Sequence, residues 1–182
     1  MLTPRALPFP FSPLPPFPLI SGTLFQVSDR EKDFPAMFRR IISTTATWTP
    51  VPLRLALAAV FIGHGAQKVL GSFSGPGLAK FTSFPPPYAF MRPGWLWMGA
   101  AAFAEIIGGG LLLLGLLTRV GAFLIACVML VAVIGVHWQG GFFASNQGYE
   151  YALALFAMCL ALLISGGGMV SIDRGLSSGR RR

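Results

Sequence analysis

Four long apolar runs are separated by short stretches rich in polar residues, glycine or proline, and the chain before residue 37 is built differently from the rest. The pattern predicts helices over residues 52–71, 95–117, 120–138 and 149–165. Pro52 suits the first turn of the first helix. At ~1.5 Å per residue, about eighteen apolar residues come close to spanning a hydrocarbon core of ~30 Å. Gly71 and Pro76 end this helix, with Arg54 and Lys68 placed to extend toward the two interfaces. A loop over residues 72–94 carries Lys80, Pro85-Pro86-Pro87 and Arg92, and admits a short interfacial helix near 78–83. Trp95 and Trp97 mark an interface at the start of the second helix. Thr118-Arg119 is a tight turn, which makes the second and third helices antiparallel neighbours. Residues 139–148 form a glycine-rich loop with aromatics and no charge, and Gly166-Gly167-Gly168 ends the fourth helix.

Small residues recur within these helices. Ala100, Ala104 and Gly108 are four apart, and so are Ala101, Glu105 and Gly109. Such stripes let helix backbones approach closely in lipid, so Glu105 is expected on a packing face. Ala154, Ala157 and Ala161 follow Glu150 at helical spacing and predict another packing stripe.

Composition changes the picture from apolar helices to a bilayer protein. Of 182 residues, 11% are charged and 54% hydrophobic, against roughly 25% charged in an average soluble domain. The net charge is +8, but the basic residues stand at segment ends without an aromatic-basic surface pattern. They read as flanks that set orientation and meet anionic headgroups, not as a nucleic-acid surface. The expected fold is an all-α, integral membrane four-helix bundle over residues 37–176, with a basic tail over 177–182. Residues 1–36 are proline-rich, which disfavours a helix. They lack the unbroken apolar region of a signal peptide. Met37-Phe38-Arg39-Arg40 reads as a natural beginning, so the stretch before it is a disordered extension or a mis-assigned start. Four crossings put both termini on one side, with Arg39, Arg40, Arg119, Arg174 and the terminal arginine triplet. Lys68, Lys80 and Arg92 fall on the other side. This excess predicts a multi-pass protein of a bacterial cytoplasmic membrane with both termini in the cytoplasm.

Candidate chemistry is concentrated in Phe61-Ile62-Gly63-His64-Gly65-Ala66-Gln67-Lys68. His64 and Lys68 are four apart and share one helix face, with Gln67 beside them. Titratable groups at membrane depth are costly and usually face a protein interior or a watered cavity. The topology brings Glu105, His137, Asn146 and Glu150 to the same half of the bundle. Three readings are open for this set. It is an interior ion-pair network that holds helices together; it lines a cavity for a small molecule such as a quinone, with His64 and Glu105 exchanging protons; or His64, Glu105, His137 and Glu150 bind a metal. No HxxxH or HExxH is present, and no metal site is assigned. Cys127 and Cys159 form no CxxC and read as small buried hydrophobes. Cys159 stands nine residues after Glu150, on the opposite helix face at ~100° per residue.

These motifs together resemble the DoxX family of small bacterial membrane proteins. The resemblance rests on residues 61–68, on Phe73-Ser74-Gly75-Pro76-Gly77 and Ala104-Glu105-Ile106-Ile107-Gly108-Gly109, then on Gly115-Leu116-Leu117-Thr118-Arg119 and His137. It continues through Gly141-Phe142-Phe143-Ala144-Ser145-Asn146 and Gly148-Tyr149-Glu150-Tyr151. It implies a four-helix inner-membrane protein that is the membrane component of a redox or detoxification system. The family takes its name from a membrane subunit of a thiosulfate:quinone oxidoreductase, so a quinone or a small sulfur compound is the implied ligand. A soluble or membrane redox partner is implied as well. The chain has no cofactor-binding motif of its own, neither a nucleotide-binding glycine loop nor a haem CxxCH. The alternative is a non-enzymatic protein, either a small-solute transporter or a scaffold for a soluble enzyme. The small-residue stripes suit intrachain packing or a homo-oligomer equally.

Overall fold

Residues 40–178 are described by the structure, a computed structural model. The proline-rich stretch over 1–36 and the terminal arginine triplet lie outside them. The described chain is all α-helical, without a strand: α1 (Pro50–Leu70), α2 (Gly77–Thr82), α3 (Gly94–Leu114), α4 (Thr118–Val131), α5 (Glu150–Ser165) and α6 (Ile172–Ser178). A π-helical turn, Ala132–Val136, prolongs α4, and two 3-10 turns, Trp138–Gly140 and Ala144–Asn146, lie between α4 and α5. Among the described residues three helices are long and apolar enough to cross a membrane: Pro50–Leu70, Gly94–Leu114 and Thr118–Val136. The fourth apolar helix, Glu150–Ser165, has 16 residues.

Local chemistry sets the ends. Prolines open α1, and Gly71 closes it in the left-handed conformation (φ 71°), where glycine carries no Cβ penalty. Helix α3 stops at Leu114, short of the expected 117, because Gly115 (φ 64°) and Leu117 (φ 46°) both turn the backbone left-handed. That turn starts α4 at Thr118.

Glycines decide which helices touch. A Cβ on Gly65 of α1 would lie 2.7 Å from the Ile106 backbone nitrogen, and one on Gly109 of α3 would lie 2.9 Å from the Ile62 nitrogen. On another side of α3, a Cβ on Gly108 would lie 2.8 Å from Ile125 of α4, and Gly121 meets the Gly108 carbonyl. Both small-residue stripes of α3 are thus used within the chain, one toward α1 and one toward α4, so van der Waals packing holds these helices together. Leu57, Phe61, Leu112, Ile125, Cys159 and Leu162 form the centre of the core. Large apolar side chains such as Phe103, Ile107, Phe123, Leu130 and Ile164 are exposed on the outside. Helices apolar on every face belong in lipid.

Two expectations are corrected here. On α5 the buried face is Ala152, Leu155, Cys159 and Leu162, whereas Ala154 and Ala157 of the predicted packing stripe are exposed. Cys159 is buried as expected, but Cys127 is exposed on the outside of α4. Lipid makes no distinction between the two faces by polarity, so alanine spacing alone did not orient α5.

At one end of the bundle, residues 43–49 are tied to the chain after α5. Thr45 N–H donates to Ser165 O (2.9 Å) and Met169 N–H to Thr47 O (2.9 Å). Arg119 donates to Ile164 O (2.9 Å), one of the last carbonyls of α5. At the other end, the loop before α3 lies across the π-helical turn: a Cβ on Gly135 would sit 2.8 Å from the Tyr88 ring and 2.9 Å from Pro87.

Candidate functional site

The polar centre of the bundle is an ion pair between Lys68 Nζ of α1 and Glu105 Oε1 of α3. The close approach of the two helices at Gly65 and Gly109 brings the side chains together. Glu105 is 1% exposed, while the Lys68 side chain keeps 24% of its surface open. The Lys68 ammonium also lies 5.3 Å from the centroid of the Phe81 ring, contributed by α2, so a cation–π contact supports it from the loop side. Glu105 Oε2 is buried and has no hydrogen-bond partner. A buried carboxylate oxygen without a donor is costly to leave so. The site therefore offers an ammonium with N–H bonds to spare beside an acceptor that needs a donor.

His64, one turn before Lys68, is exposed and has no bond to this pair among the described residues. With Gln67, Val60, Gly63, Phe73 and Tyr151 it lines an open pocket of about 210 Å³. A Cβ on Gly63 would meet nothing within 4 Å, which leaves the wall of the pocket low at that point.

His137, Asn146 and Glu150 do not join either group. His137 Nδ1 donates to the Gln147 carbonyl (2.8 Å). Glu150 Oε1 accepts the Ala144 backbone N–H (2.7 Å). Asn146 is exposed on the second 3-10 turn. These residues organise the loop between α4 and α5. The seven candidates thus divide into a buried ion pair, a pocket beside it and a loop frame. Among the described residues no three His, Cys, Asp or Glu side chains gather closely enough to hold a metal ion.

A second buried polar cluster stands at the other end of α1. Arg54, expected to reach the interface, is instead 4% exposed and donates through Nη1 to the Gly167 carbonyl at 2.9 Å. Asp173, just after the triple glycine, is 1% exposed. Its Oδ1 accepts the Leu117 N–H (2.7 Å) and its Oδ2 the Thr118 N–H (2.8 Å). It caps α4 from 55 residues away and places a negative charge on the helix N-terminus. Its own N–H donates to Gly115 O (3.0 Å). Arg54 Nε and Thr118 Oγ1 are buried there without a partner. The signal in the sequence was an aspartate shortly after the triple glycine, but its partners are backbone groups that no residue type marks.

Residues 49–138 match the DoxX family, a span that includes α1, α3, α4 and the whole of the Lys68–Glu105 site. Two uncharacterized proteins of Haemophilus influenzae are similar. One is 33% identical over 129 residues, covering 66% of this chain and 85% of the relative. The other is 30% identical over 122 residues, covering 66% of this chain and 78% of the relative. No solved structure matches the chain. Apolar membrane-length helices, the α1–α3 site within the matched span and relatives covered over most of their length lead to one assignment: this chain belongs to the DoxX family of membrane proteins.

Proposed function

We propose that the protein is the membrane component of a redox or detoxification system, with Lys68 and Glu105 as an intramembrane polar site for a quinone or a small sulfur compound. The observation that carries this reading is the unpartnered Oε2 of Glu105 next to a partly open Lys68. The reduced quinol form of a quinone, or a thiol-bearing sulfur compound, that accepts from the ammonium and donates O–H or S–H to Oε2 completes both groups. Glu105 is then the proton acceptor, and His64 in the neighbouring pocket passes the proton to the surroundings. A soluble or membrane partner protein accepts the electrons that the ligand gives up with the proton. The orientation that fits the basic residues keeps both termini in the cytoplasm of a bacterium, with the Lys68 end facing outward.

A second reading is supported by the packing around the same pair. Gly65 and Gly109 bring α1 against α3 about one turn from Lys68 and Glu105. In this reading the ion pair is a clamp in a non-enzymatic scaffold or solute transporter. Native mass spectrometry of gently released, detergent-purified protein separates the two. The proposal expects a co-purifying quinone or sulfur compound that is lost in Glu105→Gln and reduced in His64→Ala. Protein that is empty in all three forms, with Glu105→Gln changed only in thermal stability, overturns it in favour of the clamp.

A further inference from the structure

Helix α5 is too short to cross the bilayer alone. Its 16 residues span about 24 Å at ~1.5 Å per residue, against a hydrocarbon core of ~30 Å. What precedes it is unusual for a connection between membrane helices. Residues 138–149 contain no Asp, Glu, Lys or Arg. Trp138, Phe142 and Phe143 are exposed by 58%, 50% and 63%. Trp138 stacks on Tyr149 with ring centroids 5.2 Å apart, and Phe142 meets the same tyrosine edge-on at 5.7 Å. The aromatics therefore form one continuous surface, and they turn outward, not into the core.

The second half of this loop is bonded internally along its backbone. Every N–H from Asn146 to Glu150 donates to a carbonyl inside the loop, at 2.9–3.0 Å. The two titratable groups at its ends are turned onto its backbone as well, His137 to Gln147 O and Glu150 to Ala144 N–H. Backbone at membrane depth must satisfy its polar groups internally, and a loop lying in water has no need to. Aromatic rings with amphipathic partners such as Tyr149 favour the headgroup boundary.

We infer that residues 138–149 form a membrane-embedded cap that completes the fourth crossing, with Trp138, Phe142 and Phe143 inserted at the boundary between headgroups and acyl chains. The loop folds back over the N-terminal end of α5, where the N–H groups of Gly148, Tyr149 and Glu150 donate to the carbonyls of Phe143, Gly141 and Phe142. The occupant of this aromatic surface is lipid. The cap stands independently of the redox reading, because it rests on helix length, charge and backbone bonding alone.

The test uses the full chain in lipid nanodiscs, where both faces are open to reagent. Phe143→Cys is made in a Cys127→Ser, Cys159→Ala background, with Ala144→Cys as the smaller change should the first fail to fold. Exposed Ser177→Cys on α6 serves as the water-facing reference. The cap expects a membrane-impermeant maleimide to react at least tenfold more slowly at 143 and 144 than at 177. It also expects a bimane at either position to be quenched by lipids that carry nitroxide near the top of the acyl chain. Labelling as fast as at 177 overturns the cap. Slow labelling without lipid quenching overturns it too, because protein and not lipid then covers the surface.

Discussion

Arg54 and Lys68 lie on one helix, about 21 Å apart along its axis, and each end of that helix holds an almost fully buried carboxylate, Asp173 at one and Glu105 at the other. They are held differently. At the Arg54 end the two charged side chains bond to backbone: Asp173 takes the N–H groups of Leu117 and Thr118, and Arg54 donates to the Gly167 carbonyl. These bonds fix the turn between α3 and α4, the triple glycine after α5 and the start of α6 to the foot of α1. At the Lys68 end the pair is side chain to side chain, one carboxylate oxygen has no partner, and the lysine is partly open. Burial of charge does not by itself distinguish a structural element from a site. The partners do. A carboxylate with both oxygens bonded to backbone is bound to the fold; one bonded through a single oxygen to a flexible side chain keeps an oxygen free and can exchange partners.

The sharpest break of this comparison is in stability. Asp173→Ala removes two charge-assisted bonds, each worth about 1.5–3 kcal/mol, and uncaps α4 while Arg54 stays buried. It is expected to cost at least ~3 kcal/mol, seen as a large fall in the thermal midpoint in detergent and in the amount of protein in membranes. Glu105→Gln keeps the shape and loses one interhelical contact, so its cost is about 0.6–2 kcal/mol. Equal losses in the two variants would show that both clusters are structural and end the distinction.

The membrane class was legible because lipid demands helices that are apolar on every face, and four such runs are visible without any structure. The Lys68–Glu105 pair was legible for the same physical reason: two opposite charges inside apolar helices need a partner, and few are available. The glycine stripes of α3 were legible because the period fixes the face. Arg54 was not, since an arginine near a helix start reads the same whether it reaches water or the Gly167 carbonyl 113 residues away. Asp173 failed for the same reason, as backbone donors are present at every position and leave no mark. Topology brings His137 and Glu150 to the same half of the bundle as Glu105, but a loop that folds back on itself gives each of them a nearer backbone partner. Spacing along the chain predicts which face a helix buries; it does not predict which loop atoms come back to meet it.

The next effect is smaller in stability and larger in meaning. Replacing both members of the Lys68–Glu105 pair by Met and Leu removes the unpaired Oε2 together with the charges. Apolar replacement of a buried ion pair is often neutral or stabilising, so Lys68→Met/Glu105→Leu is expected to unfold within ~1 kcal/mol of the wild type and above Glu105→Gln. It is also expected to retain no ligand in native mass spectrometry. A double variant that keeps its ligand would place the binding site elsewhere and leave the pair as a clamp.

The smallest structural change gives the finest separation. Gly63 on α1 and Gly110 on α3 are both helical glycines whose added Cβ would meet nothing within 4 Å. Leucine at either position should be accommodated, and the gain in helix propensity is under ~1 kcal/mol, so the two variants should share the wild-type thermal midpoint or slightly exceed it. They differ in one respect: Gly63 lines the pocket with His64, Gln67 and Tyr151, and Gly110 does not. If that pocket is the way by which a ligand or proton reaches Glu105, Gly63→Leu loses the co-purifying ligand while Gly110→Leu keeps it. Equal retention in both would disconnect His64 from the ion pair and leave the partly open Lys68 side, beside Phe81 of α2, as the approach to Glu105.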